Sequence, residues 1–157
     1  MPRLEEQLRE VLNEKRLTIS VAESCTGGLL ASRITDVSGA SNYFRGGVVA
    51  YQNKVKETLL GLPAHILKEK GAISRETAQA MAKGCRKLFQ SDIAVAIIGI
   101  AGPTGGTQSK PVGLVHIAVV SEKGSGEKRF VWSGSRMSNK EASVGAALKM
   151  ILSLALK

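Results

Sequence analysis

Apolar residues recur along this chain with two different periods, and the switches between them mark out the structural elements. Leu4, Leu8, Val11 and Leu12 fall at helical spacing, so residues 3–15 read as an amphipathic helix with one face on a core. Residues 17–22 then read as a short buried strand rich in branched side chains, and 27–35 as a helix packed on it. After a Gly/Ser loop at 37–42, the run Gly46-Gly47-Val48-Val49-Ala50-Tyr51 is a second buried strand. Asn53 can cap a helix through Leu60, which Gly61 and Pro63 end. Ser74 opens another helix whose inner face is Ala78, Met81, Ala82, Cys85 and Leu88. Residues 92–101 are the most apolar run, and their lack of alternation predicts a central strand covered on both faces. Residues 112–121 and 127–132 pattern as a hairpin turning at 123–126. Ser138-Asn139-Lys140-Glu141 has the form of a capping box opening a last helix to about residue 156. The order predicts an α/β fold: a single layered domain over residues 1–157, with a mixed β-sheet flanked by helices.

Composition narrows the picture. The chain has 157 residues with 43% hydrophobic content, enough for one proper core. No apolar run reaches membrane-spanning length, and the first residues carry no signal-peptide core, so the expected place is the cytoplasm with no membrane partner. Cys25 and Cys85 are far apart and read as reduced thiols, Cys85 as a small core residue. The net charge of +9 would suit nucleic acid. However, the 22 basic residues are scattered and only six aromatics are present, so no stacking platform is expected and nucleic acid is not the expected partner. The same charge would steer a small phosphorylated substrate toward a cleft.

Candidate chemistry concentrates where apolar runs end. Glu23-Ser24-Cys25-Thr26-Gly27-Gly28 joins a strand to a helix, which predicts Ser24, Cys25 and Thr26 at a helix amino terminus with free N–H groups. A nucleophile there would have an oxyanion stabiliser built in, although a plain N-cap role for Ser24 or Thr26 stays open. Two histidines (His65, His116) and two aspartates (Asp36, Asp92) give no suggestive triad, and neither they nor the lone cysteines have metal-ligand spacing. Lysine is the remaining base, provided burial lowers its pKa; Lys54 and Lys56 follow a strand end on different helix faces, so at most one enters a site. The loop Gly99-Ile100-Ala101-Gly102-Pro103-Thr104-Gly105-Gly106-Thr107 follows the carboxyl end of a buried strand, where ligands bind in open α/β sheets. It is neither a Walker A loop nor a dinucleotide fingerprint, and could be a structural turn or a binding loop. Arg136 could clamp a phosphate or carboxylate, or be an ordinary surface arginine.

Several motifs occur in a fixed order: Ala22-Glu23-Ser24-Cys25-Thr26-Gly27-Gly28, Tyr51-x-Asn53-x-x-Lys56, Gly71-Ala72-Ile73-Ser74, Gly99-Ile100-Ala101-Gly102-Pro103-x-Gly105-Gly106, Lys110-Pro111-Val112-Gly113 and Gly134-x-Arg136. Together they resemble the CinA carboxy-terminal domain family, from about residue 4 to 156. Enzymatic members of that family are nicotinamide-mononucleotide amidohydrolases. Its longer two-domain members carry an extra amino-terminal domain for which this chain has no room. The resemblance implies Ser24 as nucleophile, Lys56 rather than Lys54 as base, and Tyr51 as a third catalytic residue. It places substrate binding on Cys25, Thr26, Gly27, Gly28, Gly102, Thr104, Gly105, Gly106 and Arg136. The implied substrate is a small nucleotide, with no metal or organic cofactor, and the expected assembly is a homo-oligomer. Three positions depart from the family pattern. Ile98 stands where a Thr or Ser hydroxyl is usual, Ser135 where the family has Asp, and Gln52 where it has Ser. Losing a site hydroxyl typically costs a few kcal/mol, on the order of a hundredfold in rate. The implied alternative to an enzyme is therefore a silent nucleotide-binding module of the same fold.

Overall fold

Strand β1 (Ile19–Glu23) is buried along its whole length and sits second in a sheet ordered β2-β1-β3-β4-β5. The structure is a computed structural model that describes residues 1–157. β1 pairs in parallel with β2 (Phe44–Val49) on one side and β3 (Ile93–Gly99) on the other. β4 (Leu114–Ser121) and β5 (Gly124–Val131) complete the sheet in antiparallel fashion. The α/β architecture with a mixed sheet flanked by helices is the expected one.

Alternation along the inner strands divides the core. Ile19 and Val21 of β1, with Ile93, Val95 and Ile97 of β3, face helices α1 (Leu4–Lys15), α2 (Leu29–Thr35) and α6 (Arg136–Ala155). Ala22, Ala94, Ala96 and Ile98 face α3 (Asn53–Leu60) and α5 (Arg75–Phe89). A parallel strand buried on both sides needs apolar residues on both faces, which is why 92–101 shows no alternation in sequence. The small alanines on the second face let α5 lie close to the sheet. Gly84 does the same for α3: a Cβ there would stand 1.8 Å from the Leu60 carbonyl oxygen, so only glycine lets the end of α3 rest on α5. That contact sets the position of the helix carrying Lys54 and Lys56.

Several expected boundaries shift for physical reasons. The last helix starts at Arg136, not after Ser138, because the Ser135 hydroxyl accepts the Ser138 N–H at 3.2 Å and so caps the helix three residues earlier. The hairpin turns at Glu122 and Lys123, while Gly124, Ser125 and Gly126 pair with Ser121, Val120 and Val119. An edge strand tolerates such residues because half of it faces solvent. Leu88 lies outside the inner face of α5 at 48% exposure, and Phe89 packs against that cluster instead. Helix α4 (Ala64–Lys70) was not expected; none of its residues is buried, so it leaves no clear apolar stripe. No helix is long and apolar enough to cross a membrane.

Candidate active site

All three parallel strands end on one edge, and the residues that follow them line a cleft of about 290 Å³. β1 delivers Ser24 and Cys25, the segment after β2 delivers Tyr51, and β3 delivers Ile98 and Gly99. Asn53 and Lys56 come from α3, Gly102, Thr104 and Gly105 from the loop after β3, and Arg136 from the first turn of α6. Larger hollows exist, one of about 780 Å³ between β5 and α6 among them, but none contains a buried amine. Neither histidine lines the cleft; His116 is held on β4 by Glu127 at 2.7 Å, and His65 is exposed on α4.

The turn after β1 differs from the expected helix terminus. Helix α2 begins at Leu29, so Ser24, Cys25 and Thr26 precede it by several residues, and none of them caps it. Glu23 does that work. Its buried carboxylate accepts the Leu30 N–H at 2.8 Å, the Ala31 N–H at 3.1 Å and the Thr26 hydroxyl at 2.6 Å. The positive end of α2 is thereby occupied by a side chain rather than left for a ligand. Thr26 is buried and engaged with Glu23, and neither it nor Gly27 nor Gly28 lines the cleft. Gly27 and Gly28, at φ of +62° and +105°, turn the chain sharply between Ser24 and the helix. Replacing Glu23 with Ala should lower unfolding stability by about 2–3 kcal/mol, since two helix N–H groups lose their acceptor. A urea titration with a parent-like midpoint would remove this role.

Ser24 itself is held firmly. Its N–H donates to the Ile97 carbonyl at 3.0 Å, extending the β1–β3 ladder by one rung. The N–H groups of Cys25 and Thr26 find no acceptor in the protein, which leaves two free donors in the turn that follows Ser24. Burial pushes the Cys25 thiol up to about 11, so it is protonated at neutral pH and a poor nucleophile.

Lys56 is 2% exposed, the one buried lysine of the chain, whereas the Lys54 side chain is 79% exposed. Burial holds the Lys56 pKa below the ordinary 10.5, opposed only by the Cys25 thiol when that is ionised. Its Nζ donates to the Tyr51 carbonyl and to Asn53 Oδ1, each at 3.3 Å. A neutral amine has two N–H bonds and one lone pair; with both donors directed at these oxygens, the lone pair is left for a third group. The sequence predicts Asn53 as a helix cap. It is instead the first residue of α3 and orients the lysine, a role hinted at by the spacing Asn53-x-x-Lys56 on one helix face. Gln52 holds the cap position without a side-chain bond.

Arg136 ties the cleft together. It donates through Nη1 to the Gly102 carbonyl at 2.8 Å and through Nη2 to the Tyr51 hydroxyl at 3.2 Å. Below it, Asn139 donates to the Ala101 carbonyl at 3.0 Å and accepts the Gly134 N–H. The Arg136 guanidinium thus needs no neighbouring acid to orient it, and Ser135 serves as the helix cap. Gly106 lies outside the cleft, because its backbone packs on Val112. Ile98 is 2% exposed and presents only carbon to the cleft.

Comparison with known proteins places this geometry in a family. Residues 1–155 match the family described as the CinA C-terminal domain. A putative competence-damage inducible protein of Desulforudis audaxviator is 49% identical over 149 residues, covering 95% of this chain and 36% of the relative. A CinA-like protein of Koribacter versatilis is 54% identical over 129 residues, covering 81% of this chain and 31% of the relative. The chain therefore spans about a third of the length of these curated relatives. Among solved structures, the competence/damage inducible protein CihA from Agrobacterium tumefaciens superposes with a TM-score of 0.91 at 38% identity, covering 98% of this chain and 97% of that one. A CinA superfamily protein from Enterobacter cloacae gives a TM-score of 0.92 at 29% identity, covering 97% and 90%. With the family matched over residues 1–155, this chain belongs to the CinA C-terminal domain family.

Proposed function

We propose that residues 1–157 act as one amidohydrolase domain that deamidates nicotinamide mononucleotide to nicotinate mononucleotide and ammonia through a Ser-Lys pair. The observation that carries the reading is the buried, pKa-lowered Lys56 in the same cleft as Ser24. In this reading the Ser24 hydroxyl attacks the carboxamide carbon while the Lys56 amine takes its proton. The unengaged Cys25 N–H, on the cleft wall next to Ser24, holds the oxyanion of the tetrahedral adduct. Lys56 returns the proton to the leaving nitrogen, ammonia departs, and water then cleaves the acyl-serine to the carboxylate and the free hydroxyl. Tyr51, held by Arg136, closes one wall of the cleft. Arg136, with Gly102, Thr104 and Gly105 of the loop after β3, takes the ribose or phosphate. The direct test is ammonia release from nicotinamide mononucleotide, run beside equilibrium binding of the same ligand. Binding without ammonia release overturns the enzyme reading.

Ile98 favours a second reading, a binding module that keeps the cleft without turnover. Its side chain offers no hydrogen bond where relatives are expected to have a hydroxyl. Ile98→Thr should raise the rate on nicotinamide mononucleotide about tenfold or more, below the usual worth of one site hydrogen bond. Stability should fall by about 2–3 kcal/mol, because Thr removes the Cδ1 methyl of a buried Ile and adds one buried hydroxyl. If both forms bind the nucleotide and neither releases ammonia, the module reading stands. If the parent is already fast and the substitution changes nothing, the hydroxyl is dispensable.

A further inference from the structure

Lys140 stands one turn after Arg136 on α6, so the two cations share a helix face. Arg136 already gives two of its five N–H groups to Gly102 and Tyr51. Lys140 is half-buried and forms no ion pair. Its Nζ lies 3.9 Å from the point where a Cβ on Gly27 would stand, which puts the ammonium beside Gly27, the exposed residue of the turn after Ser24. It is also near enough for its charge, with that of Arg136, to act on the Cys25 thiol against the larger effect of burial. The acid beneath this turn, Glu23, has its oxygens engaged by Thr26, Leu30 and Ala31 and makes no ion pair with Lys140, although its charge opposes the two cations at Cys25. The Gly28 N–H, like those of Cys25 and Thr26, has no acceptor in the protein. An unpaired ammonium and the unengaged Gly28 N–H thus lie at one turn, with the remaining guanidinium N–H groups of Arg136 one helix turn away from Lys140. An anion with several oxygens is the ligand such a group of donors fits.

We infer that Lys140 and Arg136, with the Gly28 N–H, form the subsite for the phosphomonoester of the ligand, and that Lys140 separates a nucleoside monophosphate from its nucleoside. The inference rests on the nucleotide reading of the cleft. It moves the phosphate to the Ser24–Gly28 side and leaves Gly102, Thr104 and Gly105 for the sugar. The subsite is a binding element remote from the reacting amide, so its loss should appear in affinity rather than in the chemical step.

The test measures calorimetric binding of ribose 5-phosphate and of ribose to the parent, Lys140→Met, Lys140→Arg and Lys149→Met, with thermal melts of each. Lys149 lies farther along α6 in the groove facing β5, and controls for the loss of one charge. Lys140→Met should bind ribose 5-phosphate about tenfold or more weakly with an unchanged melt, and Lys140→Arg should retain most of the affinity. Ribose should bind all four proteins alike, and inorganic phosphate should compete with ribose 5-phosphate only where Lys140 or Arg is present. Equal binding by parent and Lys140→Met overturns the inference. So does an equal loss in Lys149→Met, an equal loss for ribose, or no binding of ribose 5-phosphate by the parent. The two proposals fail separately. Lys140-dependent binding without ammonia release from nicotinamide mononucleotide sinks the amidase and keeps the subsite. Ammonia release that ignores Lys140 does the reverse.

Discussion

Ser24→Ala is expected to lower ammonia release from nicotinamide mononucleotide by about a thousandfold or more, while nucleotide affinity and melting temperature stay near the parent. The Ser24 backbone is pinned by its N–H bond to Ile97, and that bond survives the substitution. What is lost is the hydroxyl alone, ahead of the turn that holds the two unengaged N–H groups of Cys25 and Thr26. Cys25→Ala, by contrast, should retain turnover, because burial keeps that thiol protonated well above neutral pH. Single-turnover assays on both variants decide the matter. Turnover that persists in Ser24→Ala and disappears in Cys25→Ala makes the thiol the nucleophile.

The second large effect concerns Lys56, whose activity and stability consequences have opposite signs. A base must be neutral to accept a proton, so the parent rate should rise with pH through the lowered pKa of Lys56. Lys56→Met should remove that rise and leave a residual rate a thousandfold or more below the parent, by roughly the scale expected for losing a dyad member. Lys54→Met should behave like the parent, since that side chain is largely exposed. Stability follows the opposite sense. The folded-state pKa of Lys56 lies below its unfolded value, so between the two the unfolded chain binds more protons and stability rises with pH. Below the folded pKa the buried ammonium is a constant burden. Lys56→Met removes that burden, so its melting temperature should exceed that of the parent at neutral pH and lose this part of the pH dependence. Equal rate losses in Lys54→Met and Lys56→Met would point to general charge instead. A lower melting temperature in Lys56→Met would show the ammonium to be better solvated than its burial implies.

The sequence carries the layered fold wherever a strand or helix commits many side chains to the core. β3 is readable because every residue from Ile93 to Ile98 is buried, and α5 because its buried residues recur every three or four positions. α4 has no such face, and the Gly-rich start of β5 resembles a loop until its pairing with β4 is known. Within the cleft, chain order alone shows that Ser24, Tyr51 and the 99–105 loop follow strands, and parallel pairing then carries them to one edge. Other features depend on contacts across distant segments. The burial that singles out Lys56 depends on segments far off in sequence that line the same cleft, Ser24, Ile73 and Ile98 among them, and nothing in Lys54-Val55-Lys56 reveals it. Glu23 could have been suspected, as a lone acid ending an apolar run before Thr-Gly-Gly. Its bonds to Leu30 and Ala31 require the turn to fold back over seven and eight residues. Lys140 carried no signal beyond its spacing of four from Arg136.

The bridge that Arg136 makes bears on how any ligand would arrive. One guanidinium joins segments 34 and 85 residues away, the Gly102 carbonyl and the Tyr51 hydroxyl. A glycine-rich loop left to itself would sample many shapes, and a ligand that had to select one would lose affinity to ordering entropy. Here the loop is fixed while the chain folds, by a residue on the helix that also closes the core. Association then resembles docking into a preformed mould, with small backbone displacement and little of the heat-capacity signature of coupled folding. The flexibility such a cleft gives up in adapting to varied ligands it regains as discrimination among closely similar ones.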